Sequence, residues 1–273
     1  MSGVKICSSR QIEGFGFGRV ALGSGISIHY AQRGKCGPCP VIFLHGYVDS
    51  WRSFAAVFEH LGPTCRIVAP DLRGHGNSDK PEWGYSLDDY VRDLLFLMEA
   101  LGLERADLVG HSMGSFIAQR FASRFPARVG RLVLISSAAS MACKTSFLEL
   151  KPSIEALEDP IPMNFAAEFQ ATSNPVPADF MEMILSETIK APAHVWRSLF
   201  STLLEVDHRP ILGDISAPAL ILWGNQDQLF TRSDQEVLLA AIPDSRFEEF
   251  ATGHCPHWEK PGLMAEAIEK FLC

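Results

Sequence analysis

Short apolar runs alternate with stretches whose apolar residues fall three and four apart, and this alternation organises most of the chain. Arg19–Leu22 and Ile26–Gln32 read as two strands joined by a Gly-Ser-Gly turn, and Val41–Leu44 is apolar throughout. Phe54, Val57, Phe58 and Leu61 then fall at helical spacing and predict a helix over Ser53–Leu61. Cys65–Pro70 is the next buried strand, and the turn-rich loop Leu72–Pro81 follows it. Ser86, with Asp89 three positions on, resembles a capping box that opens a helix carrying Tyr90, Val91, Leu94, Leu95, Met98 and Leu101. Ala106–Val109 and Leu132–Ile135 are further apolar strands. From about Ser140 to Leu212 the alternation stops. Prolines there break helical stretches, and two amphipathic faces stand out: Phe180, Met181, Ile184, Leu185, and then Val195, Trp196, Leu199, Phe200. Strands return at Ala219–Trp223 and Arg246–Phe250, with helices over Asp234–Ile242 and Leu263–Leu272.

Strands that are apolar on both faces and alternate with helices predict an α/β fold: a mostly parallel eight-stranded sheet flanked by helices. The strand-free segment predicts a helical cap inserted after the sixth strand. The expected organisation is a core over residues 1–139, the cap over 140–212 and the rest of the core over 213–273.

With 273 residues the chain is long enough for one large domain. A net charge of -8, with Lys and Arg scattered, argues against nucleic acid or an anionic membrane as partner. No apolar run approaches the length of a membrane span. No charged start followed by an apolar block opens the chain, so a cytoplasmic location is expected. The odd number of cysteines, seven, favours free thiols in that compartment. Cys36-Gly37-Pro38-Cys39 spells a redox motif, but it leads from a loop into the strand Val41–Leu44 rather than from a strand into a helix, which is the wrong context for a lowered thiol pKa.

The chemistry concentrates in Gly110-His111-Ser112-Met113-Gly114. A strand precedes it and an apolar-faced helix follows, so the chain must turn sharply there. The flanking glycines supply the smallness that the turn needs, and Ser112 at the apex is pushed outward as a nucleophile elbow would push it. A serine hydroxyl needs an adjacent base, and the base needs a carboxylate that fixes its tautomer. Loops after parallel strands open on one sheet edge. Two such loops, Gly224-Asn225-Gln226-Asp227 and Ala251-Thr252-Gly253-His254, offer Asp227 and His254. The order Ser, Asp, His is that of the α/β-hydrolase architecture.

The sequence resembles the α/β-hydrolase superfamily, and within it the capped serine esterase, haloperoxidase and carbon–carbon hydrolase group. The resemblance rests on His45-Gly46-Tyr47, on Asp71–Ser78, on the elbow, on Trp223–Asp227 and on Gly253-His254 with Glu259 and Pro261, and so covers nearly the whole chain. It implies an oxyanion hole made of the Tyr47 and Met113 backbone N–H groups, with His45 shaping its loop. It favours His254 over His257 as base, because the family places the base directly after glycine. Some members carry the acid after the sixth strand. Here Ser136-Ser137-Ala138-Ala139 stands there, which leaves Asp227. Asp49 and Asp71 are expected to structure loops. His254, Cys255 and His257 are too few and too loosely spaced for zinc, and neither a metal nor a cofactor is expected.

Serine rather than aspartate at the apex excludes the ester chemistry of related dehalogenases and epoxide hydrolases. The expected activity is hydrolysis of a small hydrophobic carboxylic ester or lactone through an acyl-serine. Carbon–carbon hydrolysis and cofactor-free perhydrolysis use the same triad, and a ligand receptor can be built on the same scaffold. His45, Met181, Trp196 and Phe200 are the candidate pocket residues. In the cap segment Arg197 is the one cation that could meet a substrate carboxylate, which disfavours substrates with a free acid.

Overall fold

The computed structural model describes residues 14–34, 40–63, 65–142 and 144–272. The Cys36–Cys39 motif lies outside these residues. Eight strands form one sheet: β1 (Gly16–Ala21), β2 (Ser27–Arg33), β3 (Val41–Leu44), β4 (Ile67–Pro70), β5 (Ala106–His111), β6 (Val129–Ile135), β7 (Ala219–Gly224) and β8 (Ser245–Phe250). Their order is β1-β2-β4-β3-β5-β6-β7-β8. The β1–β2 and β2–β4 pairings are antiparallel, and all others are parallel.

The helices are α1 (Ala55–Phe58), α2 (Leu87–Ala100), α3 (Met113–Arg124), α4 (Thr145–Leu148), α5 (Lys151–Glu155), α6 (Met163–Phe169), α7 (Ala178–Thr188), α8 (Ala193–Leu204), α9 (Arg232–Ala241), α10 (Pro256–Glu259) and α11 (Pro261–Leu272). The apolar strands alternate their side chains between two cores. Ile42 and Leu44 of β3 face Leu94 of α2 and Ile117 of α3, whereas Val41 and Phe43 face Phe58 of α1 and Ile268 of α11. This two-sided burial is why the strands read as continuous apolar runs.

Between β6 and β7 lie α4–α8, and among the described residues no strand occurs there, only an isolated antiparallel bridge between Ser140 and Asp207. Phe147, Ile154, Trp196 and Phe200 of this segment join the same apolar cluster as β3 and α3. The Ser86–Asp89 capping box forms as expected, with the Ser86 side chain accepting from the Asp89 N–H and the Asp89 carboxylate accepting in return. The helix expected over Ser53–Leu61 is shorter and starts earlier. Ser50 caps a tight turn over Trp51–Phe54 by accepting from the Arg52 N–H at 3.2 Å, and only one α-helical turn, α1, follows. No described helix is long and apolar enough to cross a membrane.

The loop after β4 is held to α2 by a buried bidentate pair. Arg73 donates from Nε to Asp93 at 2.7 Å and from a terminal nitrogen at 2.8 Å, and the Ser24 hydroxyl donates to the same carboxylate at 2.7 Å. Removing one member of such a pair leaves a buried charge unmet. Asp93→Ala should therefore cost about 3 kcal/mol or more of stability, read as a lower urea midpoint, whereas Asp88→Ala on the exposed face of α2 should cost less than about 1 kcal/mol.

Candidate active site

Ser112 stands between the last residue of β5 and the first of α3. Its φ is 49° and its ψ is -115°, a left-handed conformation that a residue with a Cβ reaches only under strain. The surroundings hold it there. The Ser112 N–H donates to the Ile135 carbonyl at 3.0 Å, and the Ser112 carbonyl accepts from the Ser115 N–H at 2.9 Å. A Cβ on Gly110 would overlap the Gly114 carbonyl, and one on Gly114 would overlap the Leu44 carbonyl. Both glycines are thus required by close approach.

The register of the sheet brings the other loops to this edge. Leu44 pairs with Gly110, so the loop after β3 lies beside the elbow. Gly224 pairs with Phe250, so the loops carrying Asp227 and His254 emerge together. His254 Nε2 lies 3.0 Å from Ser112 Oγ, and His254 Nδ1 lies 2.8 Å from Asp227 Oδ2. With the Nδ1–H donating to the carboxylate, Nε2 is free to accept from the serine hydroxyl. The Asp227 side chain is fully buried, while that of His254 keeps 28% exposure toward the open side. Burial opposes the Asp227 charge. The His254 ring and the Leu229 and Phe230 N–H groups outweigh it, so the carboxyl stays below the usual range. Phe230 also backs the His254 ring, with centroids 5.4 Å apart.

Tyr47 and Met113 both line the cavity above Ser112, and among the described residues neither backbone N–H has a protein acceptor. His45 and His75 fix the Tyr47 loop as neutral rings. His45 Nδ1–H donates to the Gly46 carbonyl at 2.8 Å, and its Nε2 accepts from the Leu72 N–H at 2.9 Å. His75 Nδ1–H donates to the Arg73 carbonyl at 2.7 Å, and its Nε2 accepts from the Val48 N–H at 3.2 Å. That last bond holds Val48, a β-branched residue, at a φ of 53°. Burial lowers the pKa of His45 to about 4 and that of His75 to about 3.

The cavity has a volume of about 300 Å³. Met113, Phe116, Phe147, Phe169, Leu203 and Phe230 supply much of its apolar wall. None of the four pocket residues expected from sequence lines it. His45 is turned away into the Leu72 loop. Trp196 stands behind Tyr47 and Phe169, at centroid distances of 5.4 and 5.0 Å, and its carbonyl accepts from the Tyr47 hydroxyl at 2.6 Å. Phe200 stacks behind Phe147 at 4.5 Å. Met181 packs beside Phe180 and Trp258. Trp196 and Phe200 are buried, as helical periodicity indicates, and Met181 is half-buried, but each packs against protein rather than against the cavity. Arg197 donates to the Leu157 carbonyl and does not reach the cavity.

The other acidic candidates divide. Asp71 does structure its loop, accepting from the Trp51 N–H at 3.0 Å and the Asn77 N–H at 2.9 Å, with His29 Nδ1 at 2.8 Å. Asp49 also braces its own loop, accepting from the Ser50 N–H at 2.8 Å, and in addition lines the cavity. The signal that could have found it is its place two residues after Tyr47. His257 turns away from the site, to Ser53 Oγ at 2.9 Å. The end of β6 carries a neutral network instead of a carboxylate: Gln119 donates to the Ser137 hydroxyl at 2.8 Å and to the Ala138 carbonyl at 3.0 Å.

A sequence profile described as alpha/beta hydrolase fold matches residues 40–202. The chain belongs to the α/β-hydrolase family. A 2-hydroxy-6-oxo-2,4-heptadienoate hydrolase of Pseudomonas putida is 30% identical over 258 residues, covering 88% of this chain and 90% of that protein. The 3-oxoadipate enol-lactonase 2 of Acinetobacter baylyi is 25% identical over 267 residues, covering 94% and 97%. In structure, an esterase from Exiguobacterium antarcticum superposes with a TM-score of 0.85 at 23% identity, covering 93% of this chain and 98% of its own, a likeness of fold. The site of this chain therefore sits on a scaffold whose relatives and structural neighbours are named as enol-lactonase, heptadienoate hydrolase and esterase.

The neutral histidines make the site's frame sensitive to acid. His45 and His75 have ordinary values of 6.5 but titrate at about 4 and about 3 in the fold. Below 6.5 the unfolded chain takes up protons that these folded rings refuse, so stability is fully present above that value and lost as pH falls toward the folded values. The urea midpoint should decline steadily from about pH 7 to about pH 4, and a flat profile over that window would contradict the assignment.

Proposed function

We propose that this α/β hydrolase cleaves a carboxylic ester or lactone bearing a hydrophobic group, with Ser112 as nucleophile, His254 as general base and acid, and Asp227 as the group that orients His254. The observation that carries the reading is the unbroken Ser112–His254–Asp227 hydrogen-bonded chain at the floor of an apolar cavity.

Ser112 Oγ attacks the substrate carbonyl carbon while its proton passes to His254 Nε2. The imidazolium so formed is stabilised by Asp227. The carbonyl oxygen takes up negative charge, which the Tyr47 and Met113 N–H groups receive. Donors fixed in advance cost no reorganisation at that moment. Collapse of the intermediate expels an alkoxide, which takes the proton from His254 and leaves an acyl-serine. A water molecule then gives its proton to His254 and attacks the acyl carbon, and the acid is released as Ser112 regains its hydrogen. In a lactone the leaving alkoxide stays attached to the acyl chain, and a single hydroxy acid is released.

The helical segment over residues 140–212 acts as the cap in this reading, since it supplies Phe147, Phe169 and Leu203 to the cavity. The ester reading is preferred over carbon–carbon cleavage of acidic dienes because no Lys or Arg is among the residues lining the cavity.

Ser112→Ala should lower kcat/KM on a short-chain para-nitrophenyl ester by roughly 10⁴-fold or more, and Asp227→Asn by a comparable factor. A fluorophosphonate should label the wild type on Ser112, as mass spectrometry of the peptide would show, and should not label Ser112→Ala. Turnover that persists in Ser112→Ala would remove the nucleophile assignment.

A further inference from the structure

Asp49 is a carboxyl group in the cavity wall with no basic partner. It is 3% exposed, and Cys255 and Trp258 line the cavity with it. The acidic side chains nearest to it in charge, Glu187 and Asp71, and the Asp227 carboxylate each have partners of their own. Glu187 pairs with Arg52 at 3.3 Å and with Lys190 at 2.8 Å. Asp71 has its three donors, and Asp227 has His254. Asp49 Oδ1 accepts only from the adjacent Ser50 N–H, at 2.8 Å, and the Ser53 hydroxyl bonds the same carboxyl. Among the described residues no Lys, Arg or His lies within ion-pair distance of it. A second acid, Glu168, lines the same cavity, and among the described residues no Lys or Arg does. The wall also presents the rings of Tyr47, Phe116, Phe147, Phe169 and Phe230, and the faces of such rings attract cations.

A buried carboxylate without a counter-charge is costly, and a bound cation relieves that cost. We infer that Asp49 is a specificity-determining residue that makes this cavity select ester substrates carrying an ammonium group and reject those carrying a free carboxylate. This rests on the hydrolase reading above and names the substrate class for the same site. An ammonium seated against Asp49 completes an ion pair inside the cavity, whereas a carboxylate there would meet Asp49 as a like charge. The relatives named for a heptadienoate and an oxoadipate lactone act, by those names, on acidic compounds, so this chain departs from them in charge preference.

Without a cation bound, burial pushes Asp49 up to about 7, and the nearby Glu187 and Asp71 charges add to the rise. Around it stand Glu187 from α7, Asp71 after β4, Ser53 before α1, and Cys255 before α10. The Cys255 thiol is itself pushed well up by burial and stays neutral. Asp49 is therefore the group here that changes charge near neutrality.

Two matched ester series test the inference. In one, para-nitrophenyl esters carry an acyl chain ending in trimethylammonio, its tert-butyl isostere or a carboxylate. In the other, the same three end groups sit on the alcohol side of an acetate ester. In at least one series kcat/KM should favour the cation over the neutral isostere by about tenfold or more, with the carboxylate lowest. The cation-to-neutral ratio should shrink in Asp49→Asn and persist in Asp49→Glu. In the wild type that ratio should rise with pH as Asp49 ionises, because a change in the catalytic steps common to both esters cancels in the ratio. A ratio near one in both series, or a ratio untouched by Asp49→Asn, overturns the inference. The neutral isostere separates the two readings. If it is not hydrolysed in a Ser112-dependent way, the hydrolase assignment has failed, and not the charge preference alone.

Discussion

The architecture of the site depends on how closely the first turn of α3 approaches the ends of β3 and β5. Gly114 lies so near the Leu44 and His45 carbonyls, and Gly110 so near the Gly114 carbonyl, that any side chain at either position would force the elements apart. The distance at stake is one methyl group, yet much follows from it. It lets the chain reverse from strand to helix in a single residue, which pushes Ser112 into a strained left-handed conformation and its hydroxyl into the cavity. It also brings the Tyr47 loop beside Met113, so that two unpaired N–H groups share one cavity wall. The nucleophile and the donors proposed for the oxyanion are therefore placed by the same backbone contact.

Around this contact the frame is built from uncharged histidines. His45 and His75 each bury one donor and one acceptor nitrogen against backbone groups of the loops after β3 and β4. His111, beneath the elbow, gives its Nε2–H to the His254 carbonyl at 3.0 Å, and burial lowers its pKa to about 3. Protonation of His45 or His75 would turn its accepting nitrogen into a donor aimed at another donor. Imidazole serves here as a rigid, two-ended linker between loops, whereas His254, partly open to the cavity, is the ring proposed to exchange protons with a substrate.

Much of this was legible in the sequence because the signals are local. The strands β3 and β7, the Ser86–Asp89 cap and the loops bearing Asp227 and His254 are each set by runs of neighbouring residues, and the structure places them within a residue or two of the expected limits. That Asp227 would be the carboxylate beside His254 was legible for a similar reason, since the residues after β6 include no carboxylate. The pocket was not. Periodicity identifies that Trp196 and Phe200 are buried and that Met181 faces inward, but packing against a neighbouring helix and packing against a cavity give the same spacing. The wall fell to residues one layer nearer, such as Phe147 and Phe169. The place of Asp49 in the cavity wall was hidden for the opposite reason. An aspartate in a turn-rich loop reads as a turn former, and only the fold reveals that its loop forms part of the cavity.

Tyr47 joins two parts of the molecule that the chain keeps far apart. Its backbone belongs to the loop beside the elbow, while its hydroxyl is bonded to the Trp196 carbonyl in α8, 149 positions away. The ring itself is wedged between Trp196 and Phe169. A lateral shift of α8 is thus transmitted, through one rigid phenol, to the peptide next to the nucleophile. In the proposed hydrolysis, pocket shape and reaction rate share a single mechanical part, so substitutions that reshape α8 for a new substrate also move the Tyr47 N–H proposed to receive the oxyanion.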